Sequence, residues 1–268
     1  MAMQDGDVAS LTLLLSPERL GKLTQLTGSA KSAIELHQET LALGAALMNV
    51  IATVEIALRN AICENLSQHF GVPNWIIAPP APFQWRDTER DKGPKALDSA
   101  QRAEYSKLNQ QAKAALDALA YPNGRPANTS HAARAKARRK QIQVTHGKVI
   151  AEITLYFWKR LYGPDYEHTL WRTTLKRTFP DKSIKRADVA DHLENIYQAR
   201  NRLAHHEPVL HARFIDTITS IKYIVERLEA PQAGPETPLA NLLLEPIAGV
   251  EKQARELHAR LAAFRSVP

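Results

Sequence analysis

The chain has 268 residues, 44% of them hydrophobic and 24% charged, with a formal net charge of +7 and one cysteine. That length allows a sizeable buried core, and a lone cysteine excludes a disulfide framework or cysteine-metal cluster, in keeping with a reducing cytoplasm. No basic segment followed by an apolar core opens the chain, so no signal peptide is expected.

Alanine and leucine outnumber β-branched residues in most periodic segments, which predicts an all-α fold. Residues 1–10 are expected to fray. Residues 11–27 read as one short helix, with Ser16 as an N-cap and Pro17 at the first helical position. A long helix follows over 32–70, with Leu47, Ile51, Val54, Leu58, Ile62 and Leu66 as its core stripe and Gly71 and Pro73 ending it. Its most apolar run, 41–58, is interrupted by Asn49 and Glu55 and falls short of the ~20 residues that span a bilayer, so it reads as a buried helix and not a membrane segment. Cys63 lies within this helix and is expected to be plain core.

Residues 71–94 are proline-rich, with Trp75 and Trp85 spaced through them, and read as a connector packed by its tryptophans. Residues 95–120 read as one helix with Leu97, Leu108, Ala112, Leu116 and Leu119 inward, ended by the YPNGRP turn. The stretch 128–147 contains HAARAKARRK, in which Arg134 and Arg138, and Lys136 and Lys140, are like-charged i,i+4 neighbours that an anionic partner would relieve. A helix over 149–162 places Ile150, Ile153, Phe157 and Leu161 inward and Lys159 and Arg160 outward. Tyr156, Phe157, Trp158 and Tyr162 interleave with these cations, a pattern that suits stacking on unpaired bases. A packed aromatic core explains it more simply, and Phe157 and Trp171 are expected there.

From 131 to 177 there are eleven Lys/Arg (Arg134, Lys136, Arg138, Arg139, Lys140, Lys148, Lys159, Arg160, Arg172, Lys176 and Arg177) against three Asp/Glu. This window more than accounts for the net charge. Such a face suits a phosphate backbone; a solvated face balancing acidic surfaces elsewhere is the plain alternative.

The most informative stretch is 199–209, ARNRLAHHEPV. Val189, Leu193, Ile196 and Tyr197 recur at helical spacing, and the next position of that stripe is Arg200, a cation that must reach solvent or a partner. Pro208 suits the first turn of a following helix carried by Val209, Phe214, Ile218, Ile221, Val225 and Leu228. His205 and His206 therefore fall at a junction, and a break before Pro208 is expected to turn Arg200 and His205 toward one pocket. Glu207 is read as capping the second helix and His206 as supporting the pocket. HHE with His211 invites a metal reading, but no HExxH pair or carboxylate cluster completes a divalent site, so no metal or other cofactor is expected. For His205 alone, the simpler reading is a junction histidine capping a helix. Residues 231–246 form a proline-containing linker, and Val250, Ala254, Leu257, Leu261 and Phe264 a final amphipathic helix that packs on the bundle or meets a partner chain.

Arg200 followed by four residues and His205, with Asn201 next to the arginine, resembles the RX4–6H signature of HEPN-domain ribonucleases, and RNRLAHHEP resembles their Abi-like (abortive infection) branch. LSPERL at 15–20, VEIALRNAI at 54–62 and FWKRLYG…YEHTLWRTTLKRTFP at 157–180 resemble the same branch, in the same order. The resemblance implies a HEPN-like helical domain over 1–230 with an insertion at about 78–130, followed by the linker and helix of 231–268. It further implies that Glu55, Arg59 and Asn60 brace the RX4H helix; residue spacing alone is equally satisfied by a surface Glu55–Arg59 pair.

Cleavage of RNA without a metal needs a base for the 2′-hydroxyl, a cation over the phosphorane and an acid for the leaving 5′-oxygen. Histidine suits both proton transfers near neutral pH, and arginine holds a phosphate through its planar fork. One motif supplies one such histidine, which suggests two copies. The resemblance implies the same: a homodimer with Arg200 and His205 of both subunits in a composite site. It also implies a cytoplasmic growth-arresting toxin in anti-phage defence, restrained by a small RNA or a protein antitoxin. Two alternatives stand beside it: a non-catalytic HEPN module that binds RNA or nucleotide, and a helical interaction scaffold.

Overall fold

The computed structural model describes residues 4–265, and these form an all-α fold of twelve α-helices with no strand. In chain order they are α1 (Asp5–Leu15), α2 (Pro17–Thr27), α3 (Ala30–Phe70), α4 (Asp87–Arg90), α5 (Lys92–Lys107), α6 (Gln110–Ala120), α7 (His131–Lys140), α8 (His146–Ala151), α9 (Leu155–Arg160), α10 (Arg186–Ala204), α11 (His211–Val225) and α12 (Pro238–Arg265). Short 3-10 and π turns occupy Pro164–Thr178. The chain divides into two compact units, one comprising Ile62–Lys176 and the other the segments on either side, and α3 runs from one into the other. The middle unit is wider than the expected insertion at 78–130, and α12 belongs with the motif helices.

In the first unit, Ser16 caps α2 through its Oγ, which accepts from the Arg19 amide, with Pro17 at the first helical position as expected. Residues 5–10 are helical and not frayed, so the predicted single helix is two, α1 and α2; residues 1–3 lie outside the described ones. The predicted stripe of α3 is buried at every position from Leu47 to Leu66. The same helix contains an 18-residue window of mean hydropathy 2.0, long and apolar enough to cross a membrane by length and composition, of which 33% is buried. Gly71, in the left-handed region at φ +67, ends α3.

α10 packs against α11; α10 buries Val189, Leu193, Ile196, Ala199 and Leu203, and α11 buries Phe214, Ile218, Ile221 and Val225. The buried stripe of α10 thus continues through Ala199 and Leu203. Arg200 sits beside it with its side chain 36% exposed, off the core-facing row on which spacing placed it. α12 begins at Pro238, with Pro246 inside it, so the expected linker over 231–246 shortens to the residues before the helix. Arg260 of α12 bonds Glu35 and Glu39 of α3. Residues 266–268, the end of the expected C-terminal segment, lie outside the described ones.

The second unit is built on aromatics. Trp75 and Trp85 are both buried, with Phe83 and Phe157 packed on Trp85 at 4.9 and 5.3 Å between ring centroids. Phe157, Trp158, Tyr162 and Trp171 are buried as well, so this clustering is core, and only Tyr156 keeps partial exposure. Two predicted helices are each broken in two. Asn109 caps α6 by accepting from the Ala112 amide at 2.8 Å, which separates α6 from α5. Residues 152–154 separate α8 from α9. α6 buries none of its side chains and Leu119 is 62% exposed; the inward residues of this region are Gly93, Ala96, Ala100 and Gln101. Cys63 is half-buried and not plain core.

Candidate functional site

α10 carries the motif to its end. Helical geometry runs through Ala204, and His205 follows as the C-cap at φ −97, its amide donating to the Asn201 and Arg202 carbonyls. The chain leaves the helix only at His206, at φ +56. The break thus comes after His205. Five residues at about 100° each leave Arg200 and His205 roughly 140° apart around the axis, and the expected turning of both toward one pocket does not occur within a chain. His205 is exposed, and Arg200 and Asn201 are half-exposed.

Of the three residues expected to brace the motif helix, Glu55 lies near Arg200. The Arg200 Nε lies 4.0 Å from Oε2 of Glu55, projected from α3, and the Glu55 side chain is 18% exposed. One turn on, the Nε of Arg59 is buried without a hydrogen-bond partner among the described residues, while Asn60 points to solvent. α10 approaches α3 closely because Gly44 has no side chain: a Cβ there would come within 3.2 Å of Leu203 Cδ2.

α11 starts at His211 with Leu210 as N-cap, and Pro208 lies in the extended lead-in, so Glu207 does not cap that helix. Glu207 turns back instead: its amide donates to the Arg202 carbonyl and its carboxylate pairs with Arg202 Nη1 at 2.9 Å. Arg19 of α2 donates to the His206 carbonyl at 3.4 Å. His37, buried on α3, has its pKa lowered by burial and then by the Arg19 charge. Arg19, His37 and Arg202 were assigned no role from sequence. The Arg19 contact joins residues 187 positions apart, and no local pattern announces it. His211 stacks on His258 at 4.7 Å and its amide donates to His258 Nε2, away from a set with His205 and His206.

A cavity of about 430 Å³ opens beside the junction, lined by Thr40, Leu41, Gly44, Ala45 and Met48 of α3 and by Leu203, Ala204, His206, Glu207 and Pro208. Its wall is mainly apolar, and neither Arg200 nor His205 lines it. The junction therefore has two faces: a recess edged by His206 and Glu207, and an open face carrying the Glu55–Arg200 pair.

The basic window separates into three groups. Arg134 and Arg138 both clasp Asp117 of α6, with Arg138 Nε at 2.7 Å, and hold its carboxyl below the usual carboxylate range, Arg138 contributing most. The like-charged repulsion read from sequence is thus relieved within the chain. Arg160 pairs with buried Glu89 and with Asp165, Arg172 with Glu167, and Lys148 with Glu104. Tyr166 donates to Glu89 at 2.8 Å, and its pKa is pushed up, mainly by burial. Lys159 and Lys176 lie over the Tyr156 and Trp171 rings at 5.2 and 5.4 Å. Lys136, Lys140 and Arg177 are exposed with no acidic partner among the described residues, and Arg139 is only 3.8 Å from Asp98.

No protein-family model, no curated protein and no solved structure matches the chain. The HEPN resemblance therefore rests on the motif residues themselves.

Proposed function

We propose that this chain is a metal-independent endoribonuclease of the HEPN, Abi-like type that acts as a homodimer. The observation that carries the reading is the end of α10, where a helix with one buried face presents an arginine beside the Glu55 carboxylate and an exposed histidine. The chemistry follows from those groups. One His205 takes the proton of the ribose 2′-hydroxyl as its oxygen attacks phosphorus, and Arg200 bridges the phosphoryl oxygens. The bond from phosphorus to the 5′-oxygen breaks, and a second histidine returns a proton to that oxygen. The products are a 2′,3′-cyclic phosphate and a 5′-hydroxyl; DNA, lacking the nucleophile, is not cut.

Because Arg200 and His205 diverge around one helix, the second histidine and the facing cation come from the other copy. A cytoplasmic growth-arresting role in anti-phage defence, with restraint by a small RNA or a protein antitoxin, completes the proposal and derives from the resemblance alone.

The test is cleavage of a mixed tRNA and mRNA pool in EDTA. Wild type yields cyclic-phosphate ends, and His205→Ala lowers the rate by about 10²–10⁴-fold. Cutting that survives the substitution removes His205 from the mechanism. RNA binding by both proteins with cutting by neither supports the non-catalytic module instead.

A further inference from the structure

The run HAARAKARRK serves two faces of one helix. Arg134 and Arg138 point to Asp117 and are neutralised there. Lys136, Arg139 and Lys140, spaced i, i+3, i+4, share the other face and line a groove of about 1080 Å³ against α5. From α5, Lys95 and Arg102 join them, both outside the basic window read from sequence, so five cations face two carboxylates, Asp91 and Asp98. Those carboxylates are engaged mainly on α5 itself, with Asp98 2.6 Å from Arg102 and Asp91 3.5 Å from Lys95. Lys136 and Lys140 keep no acidic partner among the described residues, and the buried Nε of Arg139 meets no acceptor. That nitrogen is shielded from solvent, so the groups open to an anion entering the groove are the ammonium heads of Lys136 and Lys140.

We infer that this α5–α7 groove binds the phosphodiester backbone of an RNA strand, through charge and without reading the bases. The inference deepens the ribonuclease reading and rests on it only in the choice of polymer. Exposed lysines on flexible stems match a backbone that presents one negative charge per nucleotide, and each contact adds a salt-dependent increment from released counterions, about −0.7 in the slope of log K against log salt for a single strand.

The experiment is fluorescence anisotropy with the full-length protein and a labelled 20-nucleotide single-stranded RNA, from low to physiological salt. Lys136→Ala with Lys140→Ala reduces the magnitude of the salt slope by about 1.4 and weakens low-salt binding roughly tenfold. Both lysines are exposed, so folding is not at stake. Lys182→Ala with Lys185→Ala removes the same charge elsewhere and serves as the control, with binding near wild type. A DNA strand of equal length binds within a few-fold of the RNA. Equal loss in the two double variants, no loss in the groove variant, a strong preference for RNA, or no binding by wild type overturns the inference. Loss of cleavage in His205→Ala with the groove's binding intact separates this site from the catalytic reading, and absent cleavage with groove-dependent binding retires the nuclease and keeps the groove.

Discussion

At His192 a stability switch follows from three neighbours. Asn195 donates to the Ser220 hydroxyl, Ser220 lies 3.0 Å from His192 Nδ1, and the imidazole stacks on Tyr223 at 3.9 Å. The hydroxyl accepts from Asn195 and shares a hydrogen bond with Nδ1 whose direction follows the ring's tautomer. Burial first, and then the Arg227 charge, lowers the His192 pKa; burial acts in the same direction on His37, His146 and His258. A histidine whose folded pKa is depressed leaves stability intact above its unfolded value near ~6.5, and that stability is lost as pH falls toward the folded value, because the unfolded chain takes up the proton first. The urea midpoint should therefore drop between pH 7 and 5, and His192→Gln should flatten part of that drop; an identical pH profile in the variant would remove His192 as a contributor. The Glu55–Arg200 pair behaves differently. At 4.0 Å, with Arg200 more than a third exposed, it contributes only ~0–1 kcal/mol to folding. Glu55→Gln should leave Tm almost unmoved while lowering cleavage more than tenfold, if the carboxylate's task is to orient the guanidinium. Arg200→Lys, which lacks the planar fork, should not rescue activity. A loss of Tm in proportion to the loss of rate would make Glu55 a structural residue.

At the scale of the element, α3 carries two surfaces with opposite sensitivities. Leu58 is fully buried, whereas Ile56, two positions earlier, is 49% exposed. Leu58→Ala should cost about 2–5 kcal/mol, and Ile56→Ser should stay within about 0.5 kcal/mol, both measured by urea unfolding; a large cost at Ile56 would mean that something covers that face. The stripe from Leu47 to Leu66 was legible because one apolar residue per turn over many turns has no other solution. The breaks were less legible. Asn109 reads as a surface residue inside an alanine-rich helical pattern, and only its side chain folded back on the Ala112 amide marks a cap. Pro208 fits the extended chain before a helix as readily as a first helical turn, and the structure adopts the extended lead-in, with α11 starting at His211. The motif itself was visible as residue types. Which of those side chains converge was not, because that depends on where α10 ends, and His205 still lies on its last turn. The cation count likewise overstated the basic face: Arg134 and Arg138 meet Asp117 and Arg160 meets Glu89, carboxylates from outside the window that only three-dimensional packing brings in, while Arg172 pairs locally with Glu167.

For the molecule as a whole, the divergence of Arg200 and His205 around one helix makes the nuclease reading a statement about assembly. Two copies related by a two-fold axis make every contact twice, so Arg200 of each copy can face His205 of the other, as an isologous interface allows. Arg200→Ala and His205→Ala homodimers should each be inactive. Mixed and allowed to exchange subunits, they form heterodimers that retain one arginine and one histidine; with one of the two proton-transfer groups still in place and the other transfer left to water, such a mixture should recover a small but measurable fraction of wild-type cleavage. The recovery should rise with the time given for exchange and with total concentration, because dimerisation is a mass-action equilibrium. Sedimentation of wild type across the same concentrations should show a dimer wherever cleavage is seen. Full activity in a monomer would mean that one chain assembles the whole site. A dimer with no recovery on mixing would mean that both histidines are indispensable, one as base and one as acid, which single-turnover rates of the His205→Ala heterodimer with wild type would then resolve.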